Sequence, residues 1–181
     1  PQVQGFFSIP VDHLTAIPTI ADHVRQNYDL TKAVVVAADV GSVKRAGFFA
    51  RRLNLPMAII DKRRISDTNV EQGSIVGEVR DCDAFIFEDE IATGTTLMTT
   101  LHTLRDAGVR KIYVGATHPV FCGQAIQLFA KAPVEALFVT NTVDVPPEKH
   151  LDKITVLSVA PLLAAAIERI HTGESVGALF S

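Results

Sequence analysis

Short apolar runs separated by segments of helical period constrain this chain more than anything else in it. Ala33-Val34-Val35-Val36-Ala37-Ala38 contains no polar residue. A strand with one wet face alternates apolar and polar residues, whereas an unbroken run suits a strand covered on both faces. That is the situation in a parallel sheet between helical layers. Gly41 to Leu53 follows with helical spacing, and Met57-Ala58-Ile59-Ile60 reads as a second strand. Ser74 to Val79 alternates, as an edge strand does, and Ala84-Phe85-Ile86-Phe87 is a third buried run. Leu97, Leu101 and Leu104 then recur at i, i+4 and i+7, with Gly108 suited to end that helix. Lys111 to Ala116 is a further strand, Gly123 to Ala130 a helix, and Leu137 to Thr140 and Ile154 to Leu157 two more strands. Pro161 fits the first turn of a last helix reaching His171.

The order predicts an α/β fold, a Rossmann-like three-layer domain on a parallel sheet. Right-handed crossovers gather the C-terminal ends of such strands on one edge, where ligands bind. That edge would collect the segments starting at Asp39, Lys62, Glu88 and Thr117. The first 30 residues, with Pro10 and Pro18, read as an arm and a helix ahead of the sheet.

Composition removes several classes of function. A formal charge of -3 over 181 residues provides no electrostatic case for nucleic acid or an anionic membrane. No apolar run is long enough to span a bilayer, and the first residues lack a signal pattern. Two cysteines, Cys82 and Cys122, make neither a disulfide framework nor a zinc site, which suits a reducing, cytoplasmic setting. The chain starts at Pro1, not at Met, as expected of a fragment or a processed product.

The stretch Ala84 to Leu97 carries the chemistry. A buried strand ends in the adjacent carboxylates Glu88 and Asp89, and Ala92-Thr93-Gly94-Thr95-Thr96 leads into a helix. Carboxylates at a strand end can accept hydrogen bonds from paired sugar hydroxyls. A loop of Gly and Thr lets backbone amides and hydroxyls close on a phosphate at the helix N-terminus, where the dipole favours an anion. The bland alternative is a solvated strand end followed by a Thr-rich cap.

Three other segments share the predicted edge. In Asp39-Val40-Gly41-Ser42-Val43-Lys44-Arg45, Asp39 can hold a divalent cation, Gly41 and Ser42 can expose amides, and Lys44 or Arg45 can face polyphosphate oxygens. The alternative makes Asp39 or Ser42 a helix cap. Lys62-Arg63-Arg64 is either a solvated basic loop or a cationic arm that stabilises a transferring phosphoryl-type group. His118, beside Pro119, reads more readily as structural than catalytic.

Together these segments resemble the type I phosphoribosyltransferase fold and, more narrowly, the ribose-phosphate pyrophosphokinase (phosphoribosyl pyrophosphate synthase) family. The resemblance spans Gln2 to Phe180 and also draws on Gln4-Gly5-Phe6-Phe7, Ile9-Pro10-Val11-Asp12, Ala116-Thr117-His118 and the tail from Gly173 to Phe180. It implies transfer of the β,γ-diphosphoryl group of ATP to the 1-hydroxyl of ribose 5-phosphate. It further implies that Glu88, Asp89, Thr93, Gly94, Thr95 and Thr96 bind ribose 5-phosphate. Asp39, Gly41 and Ser42 would meet diphosphate or ATP, with Asp39 on magnesium (Mg2+), and Lys62 and Arg64 would be the catalytic cations. The family is longer, so residues 1–30 are expected to be an inter-domain arm and helix and residues 31–181 the phosphoribosyltransferase-like domain of a C-terminal half. The expected partners are ATP and ribose 5-phosphate in a homo-oligomer, with no nucleic acid and no membrane. Three positions depart from the pattern: Glu88 for an aspartate, Ala92 for another aspartate, and Ser42 for a second glycine. The competing expectations are a non-catalytic, synthase-associated subunit, favoured by Ala92, and a free-standing nucleobase phosphoribosyltransferase.

Overall fold

The structure is a computed structural model describing residues 5–61 and 74–179. Among these residues seven strands form one sheet: β1 (Ala33–Ala37), β2 (Met57–Asp61), β3 (Ser74–Val76), β4 (Asp83–Glu90), β5 (Lys111–His118), β6 (Ala136–Thr140) and β7 (Ile154–Leu157). Their spatial order is β3-β2-β1-β4-β5-β6-β7. Every neighbouring pair is parallel except β2 with β3, which is antiparallel at the sheet's edge. The α/β class and the parallel sheet expected from the apolar runs are what the chain adopts.

Helices cover both faces because each buried strand presents apolar side chains alternately up and down. On one face Val35, Phe85, Tyr113 and Phe138 pack with α1 (Ile17–Asn27) and α2 (Val43–Leu53) through Ile20, Val24, Phe49 and Leu53. On the other face Val36, Ile86, Val114 and Val139 pack with α3 (Thr95–Asp106) and α4 (Ala125–Lys131) through Leu97, Leu101, Leu104 and Phe129. The helix grouped with the N-terminal arm in sequence thus contributes Ile20, Ala21 and Val24 to the core, each fully buried. The arm ahead of it is exposed, with Phe6 at 89% and Phe7 at 54%.

A last helix, α5 (Ala160–Thr172), has Pro161 in its first turn and ends on Gly173. Ala166 is its buried residue, while Leu163, Ile167 and Ile170 face solvent.

Several elements differ in extent from the sequence reading. The edge strand stops at Val76 because Gly77 takes φ +113°, where a Cβ would lie 2.9 Å from the Ala58 backbone. Strands β4 and β5 run on through Glu90 and His118. Glu88 and Thr117 therefore lie on strands and do not open loops. The cause is register: Glu88 pairs with Ala116 and Glu90 with His118, so each strand prolongs the other.

The two middle strands now matter most. β1 passes to β2 on one side, and β4 continues to β5 on the other. This reversal of direction between β1 and β4 opens a crevice at their C-terminal ends, which is where open α/β sheets bind ligands.

Candidate functional site

β1 ends at Ala37 but β4 continues to Glu90, so the sheet has a step at the crevice. A cleft of ≈ 230 Å³ occupies this region. Its strand wall includes Ala38, Asp39, Glu88 and Glu90, and its opposite wall is Ala92 to Leu97 with Thr100.

The opposite wall is built for an anion. Gly94 at φ 77° turns the chain from the loop into α3, and among the described residues no side chain caps that helix. The first-turn amides point outward and have no intrahelical partner, so they remain available to a ligand. The first turn contains no acid to compete for that position. The hydroxyls of Thr93 and Thr95 sit 3.2 Å apart at its mouth. Gly94 is required on two counts: its positive φ, and a Cβ that would come within 2.7 Å of the buried Phe129 ring. The helix N-terminus can approach this strand end only because Gly94 lets Phe129 pack directly beneath the loop.

The strand wall is acidic but partly neutralised. Arg45 enters the step left by β1, placing Nη2 2.7 Å from Glu88 Oε2 and Nη1 3.7 Å from Asp89 Oδ2. Its Nε also donates to the Phe87 carbonyl oxygen at 3.4 Å. Of the two cations that could face polyphosphate oxygens, Lys44 or Arg45, the structure turns Arg45 onto these carboxylates. Successive strand residues alternate faces. Glu88 and Glu90 share the cleft face, while Asp89, at 72% side-chain exposure, falls outside the lining. Glu90 was missed in sequence because two adjacent acids suggested a pair. The period of two was the signal that could have found it.

Asp39 lines the cleft at the end of β1. It is also a cap: its Oδ1 accepts the Ser42 amide at 2.8 Å, and the Ser42 hydroxyl donates to the Asp39 carbonyl at 2.9 Å. Ser42 is buried at 3% exposure, with its amide spent within the turn Val40–Ser42, not offered to a ligand. Neither Gly41 nor Ser42 belongs to the cleft lining. The cap reading of this segment is thus realised, with Asp39 also on the cleft wall.

Beside the cleft, His118 Nδ1 lies 2.9 Å from the Thr142 hydroxyl. Thr142 and the fully buried Thr140 both donate to the Thr117 carbonyl, at 2.8 and 2.7 Å. This fastens the end of β5 to the segment after β6 and accounts for His118 structurally. Lys62 and Arg64 lie outside the described residues. Among the described residues no group of three His, Cys, Asp or Glu side chains could hold a metal ion. Among them, too, no helix is long and apolar enough to cross a membrane.

An acid-bearing strand end at the switch point of a parallel sheet, facing an uncapped helix behind a Thr-Gly-Thr-Thr turn, defines a phosphoribosyltransferase-type domain. The family comparison agrees and goes further. A phosphoribosyl transferase domain matches residues 12–123, and a phosphoribosyl synthetase-associated domain matches residues 71–181. The chain belongs to the phosphoribosyl synthetase-associated branch of these domains.

Among curated proteins, a ribose-phosphate pyrophosphokinase of Caldanaerobacter subterraneus subsp. tengcongensis is 45% identical over 181 residues, covering 100% of this chain and 57% of the relative. One from Deinococcus radiodurans is also 45% identical, covering 100% of this chain and 58% of the relative. Among solved structures, a phosphoribosylpyrophosphate synthetase from Mycobacterium smegmatis superposes with a TM-score of 0.85 at 34% identity, over 95% of this chain and 56% of that one. The chain therefore spans little more than half the length of the relatives it matches.

Proposed function

We propose that this chain is the ribose-phosphate-binding portion of a ribose-phosphate pyrophosphokinase. The observation that carries the proposal is the pairing of an uncapped α3 N-terminus with a carboxylate wall across one cleft, in a chain similar over its whole length to enzymes of that name. The 5-phosphate takes the amides and hydroxyls of Thr93, Gly94, Thr95 and Thr96. The ribose extends toward Glu88 on the cleft wall and the end of β4, where Asp89 follows outside the lining. The sugar's 1-hydroxyl oxygen attacks the β-phosphorus of ATP, the bond from that phosphorus to the α,β-bridging oxygen breaks, and AMP leaves.

Such a transfer needs positioning and charge neutralisation more than a covalent nucleophile. Lys62 and Arg64 are assigned the second task, and the Asp39-Gly41-Ser42 turn the diphosphate side. Magnesium commonly takes one or two carboxylates and completes its shell with phosphate oxygens and water. Asp39 fits that role, since its carboxylate lines the cleft even while one oxygen caps the turn. When bound, the ion would neutralise charge on the transferring group. Residues 1–30 are assigned as the arm and helix leading into residues 31–181, within a soluble, cytoplasmic homo-oligomer.

Titration calorimetry with ribose 5-phosphate, followed by an assay for AMP release from ATP, tests the proposal on this chain. Ribose 5-phosphate should bind, inorganic phosphate should compete with it, and AMP release should be small beside that of a full-length relative. Failure of ribose 5-phosphate to bind would remove the proposal. AMP release as fast as a relative's would refute the assignment of a partial site.

A further inference from the structure

The edge of the sheet opposite the cleft holds a larger cavity of ≈ 660 Å³, where β4 to β7 begin and α1 ends. Tyr113 is the unusual residue in its wall. It is only 5% exposed, and its ring lies between those of Phe85 and Phe138, with centroids 4.7 and 6.3 Å away. Its hydroxyl nevertheless makes no hydrogen bond to any described residue. Among the described residues, Arg52 Nε is the one side-chain atom both sealed from solvent and without a partner. The Tyr113 hydroxyl therefore reaches open space, and the space it lines is this cavity. Polar groups on buried side chains are normally paired, so one left open toward a cavity marks a place for a ligand.

The charges around that hydroxyl are unequally spent. The Arg110 fork takes Asp83 at 2.7 and 2.8 Å, Lys111 stands 3.7 Å from Glu135, and Lys153 donates to the Ala132 and Val134 carbonyls. Each cation lining the cavity thus has a partner. Asp152 has none among the described residues, and Asp29 commits only Oδ1, to the Thr31 amide and hydroxyl. The C-terminal end of α1 adds partial negative charge. The Tyr113 phenol registers the same field: desolvation first, then the Asp83 and Glu135 carboxylates, push it up to about 12. The cavity therefore favours a cation over an anion. Among the described residues these acids do not group as a metal site, which leaves an organic cation. Asp29 lies within the field of Arg110 at the start of β5, and Asp152 just precedes β7, two strands along, a span of roughly 10 Å. The two ends of a short diamine can meet both. We propose that this cavity binds a small aliphatic diamine, one ammonium group at Asp29 and the Tyr113 phenol oxygen, the other at Asp152.

The chain has two tyrosines and no tryptophan, and both tyrosines, Tyr28 and Tyr113, line this cavity, so intrinsic fluorescence reports on it directly. The test titrates 1,4-diaminobutane, butylamine and sodium chloride at matched ionic strength into the unmodified chain, Tyr113→Phe and Asp152→Asn. Tyr113→Phe removes a hydroxyl that holds nothing inside the chain, and Asp152→Asn a charge with no internal partner, so circular dichroism should find both variants folded. The diamine should change tyrosine emission saturably, with Kd at or below ~1 mM, and butylamine should bind about tenfold more weakly for want of the second charge-assisted contact. Each variant should weaken the diamine about 3- to 10-fold by losing one contact to an ammonium group. No saturable change up to ~10 mM diamine would overturn the assignment. So would an equal response to butylamine or to salt, or an unchanged diamine affinity in either variant.

Discussion

Gly94→Ala tests how closely the loop, the helix and the core are joined. Gly94 has φ 77°, and an alanine Cβ there would lie 2.7 Å from Phe129 Cε2 and 3.1 Å from Cζ. Holding a non-glycine residue in the left-handed region costs about 1–2 kcal/mol. Phe129 is fully buried and packs edge-on against Phe121, with ring centroids 6.2 Å apart, so it cannot simply swing away. Overpacking of this kind adds about 1–3 kcal/mol. Alanine's smaller freedom in the unfolded chain returns ~0.4–1 kcal/mol. The net loss is about 1–5 kcal/mol, which for a chain of this size lowers Tm by roughly 2–18 °C. Urea unfolding followed by circular dichroism measures the loss directly. Gly94→Ala with Phe129→Leu should show a favourable coupling of at least ~0.5 kcal/mol, because the leucine vacates the space the Cβ needs. A single variant within about 0.5 kcal/mol of the parent would refute the close-approach argument, as would strictly additive losses in the double variant.

Two further outcomes follow from charges described above. Arg45→Met removes the cation beside Glu88 and Asp89, leaving more negative charge near the anion site, so inorganic phosphate should bind about 3- to 10-fold more weakly at low salt, an effect that fades as salt screens it. Phosphate titrations at two ionic strengths check this, and unchanged affinity at low salt would count against it. Tyr113 is buried, and desolvation, helped by the nearby Asp83 and Glu135 carboxylates, pushes its phenol up to about 12. The unfolded phenol loses its proton near pH 10, so this residue's contribution is intact below pH 10 and is lost as pH rises from about 10 to about 12. Denaturant midpoints from pH 8 to 11.5 should therefore fall less steeply for Tyr113→Phe than for the parent; identical slopes would contradict the assignment.

The layered fold was legible in the sequence because the signal is one-dimensional. A run such as Ala33 to Ala38 is apolar for a single reason, burial on both faces, and needs no knowledge of its neighbours. The α3 register was equally plain from Leu97, Leu101 and Leu104, all of which reach the core. The site was legible as a loop and a set of residue types, but less so as a geometry. Whether Glu88 opens a loop or continues a strand depends on its pairing with Ala116, a partner 28 positions away that local propensity does not report. The same non-local pairing turns Glu90 toward the cleft. Arg45 shows a related difficulty. Its partners were decided by β1 ending before β4, a difference in strand length between segments distant in sequence. The capping of Ser42 by Asp39, in contrast, is purely local and was one of the two readings available.

The overhang of β4 and β5 beyond β1 divides the cleft into parts that respond differently to change. Glu88 and Glu90 ride on paired backbone, so their separation is set by strand geometry, about 6.7 Å between Cα atoms two residues apart. The Ala92 to Thr96 turn has no such constraint on its composition apart from Gly94. Substitutions in the turn can therefore adjust how the anion is held without altering the spacing of the acids. Length is another matter. One residue inserted between Phe87 and Glu88 would exchange the faces of everything after it, sending Glu88 and Glu90 away from the cleft and bringing Asp89 in. In this domain the acid-lined face of the cleft tolerates drift in the loop but is bound to the parity of a single strand.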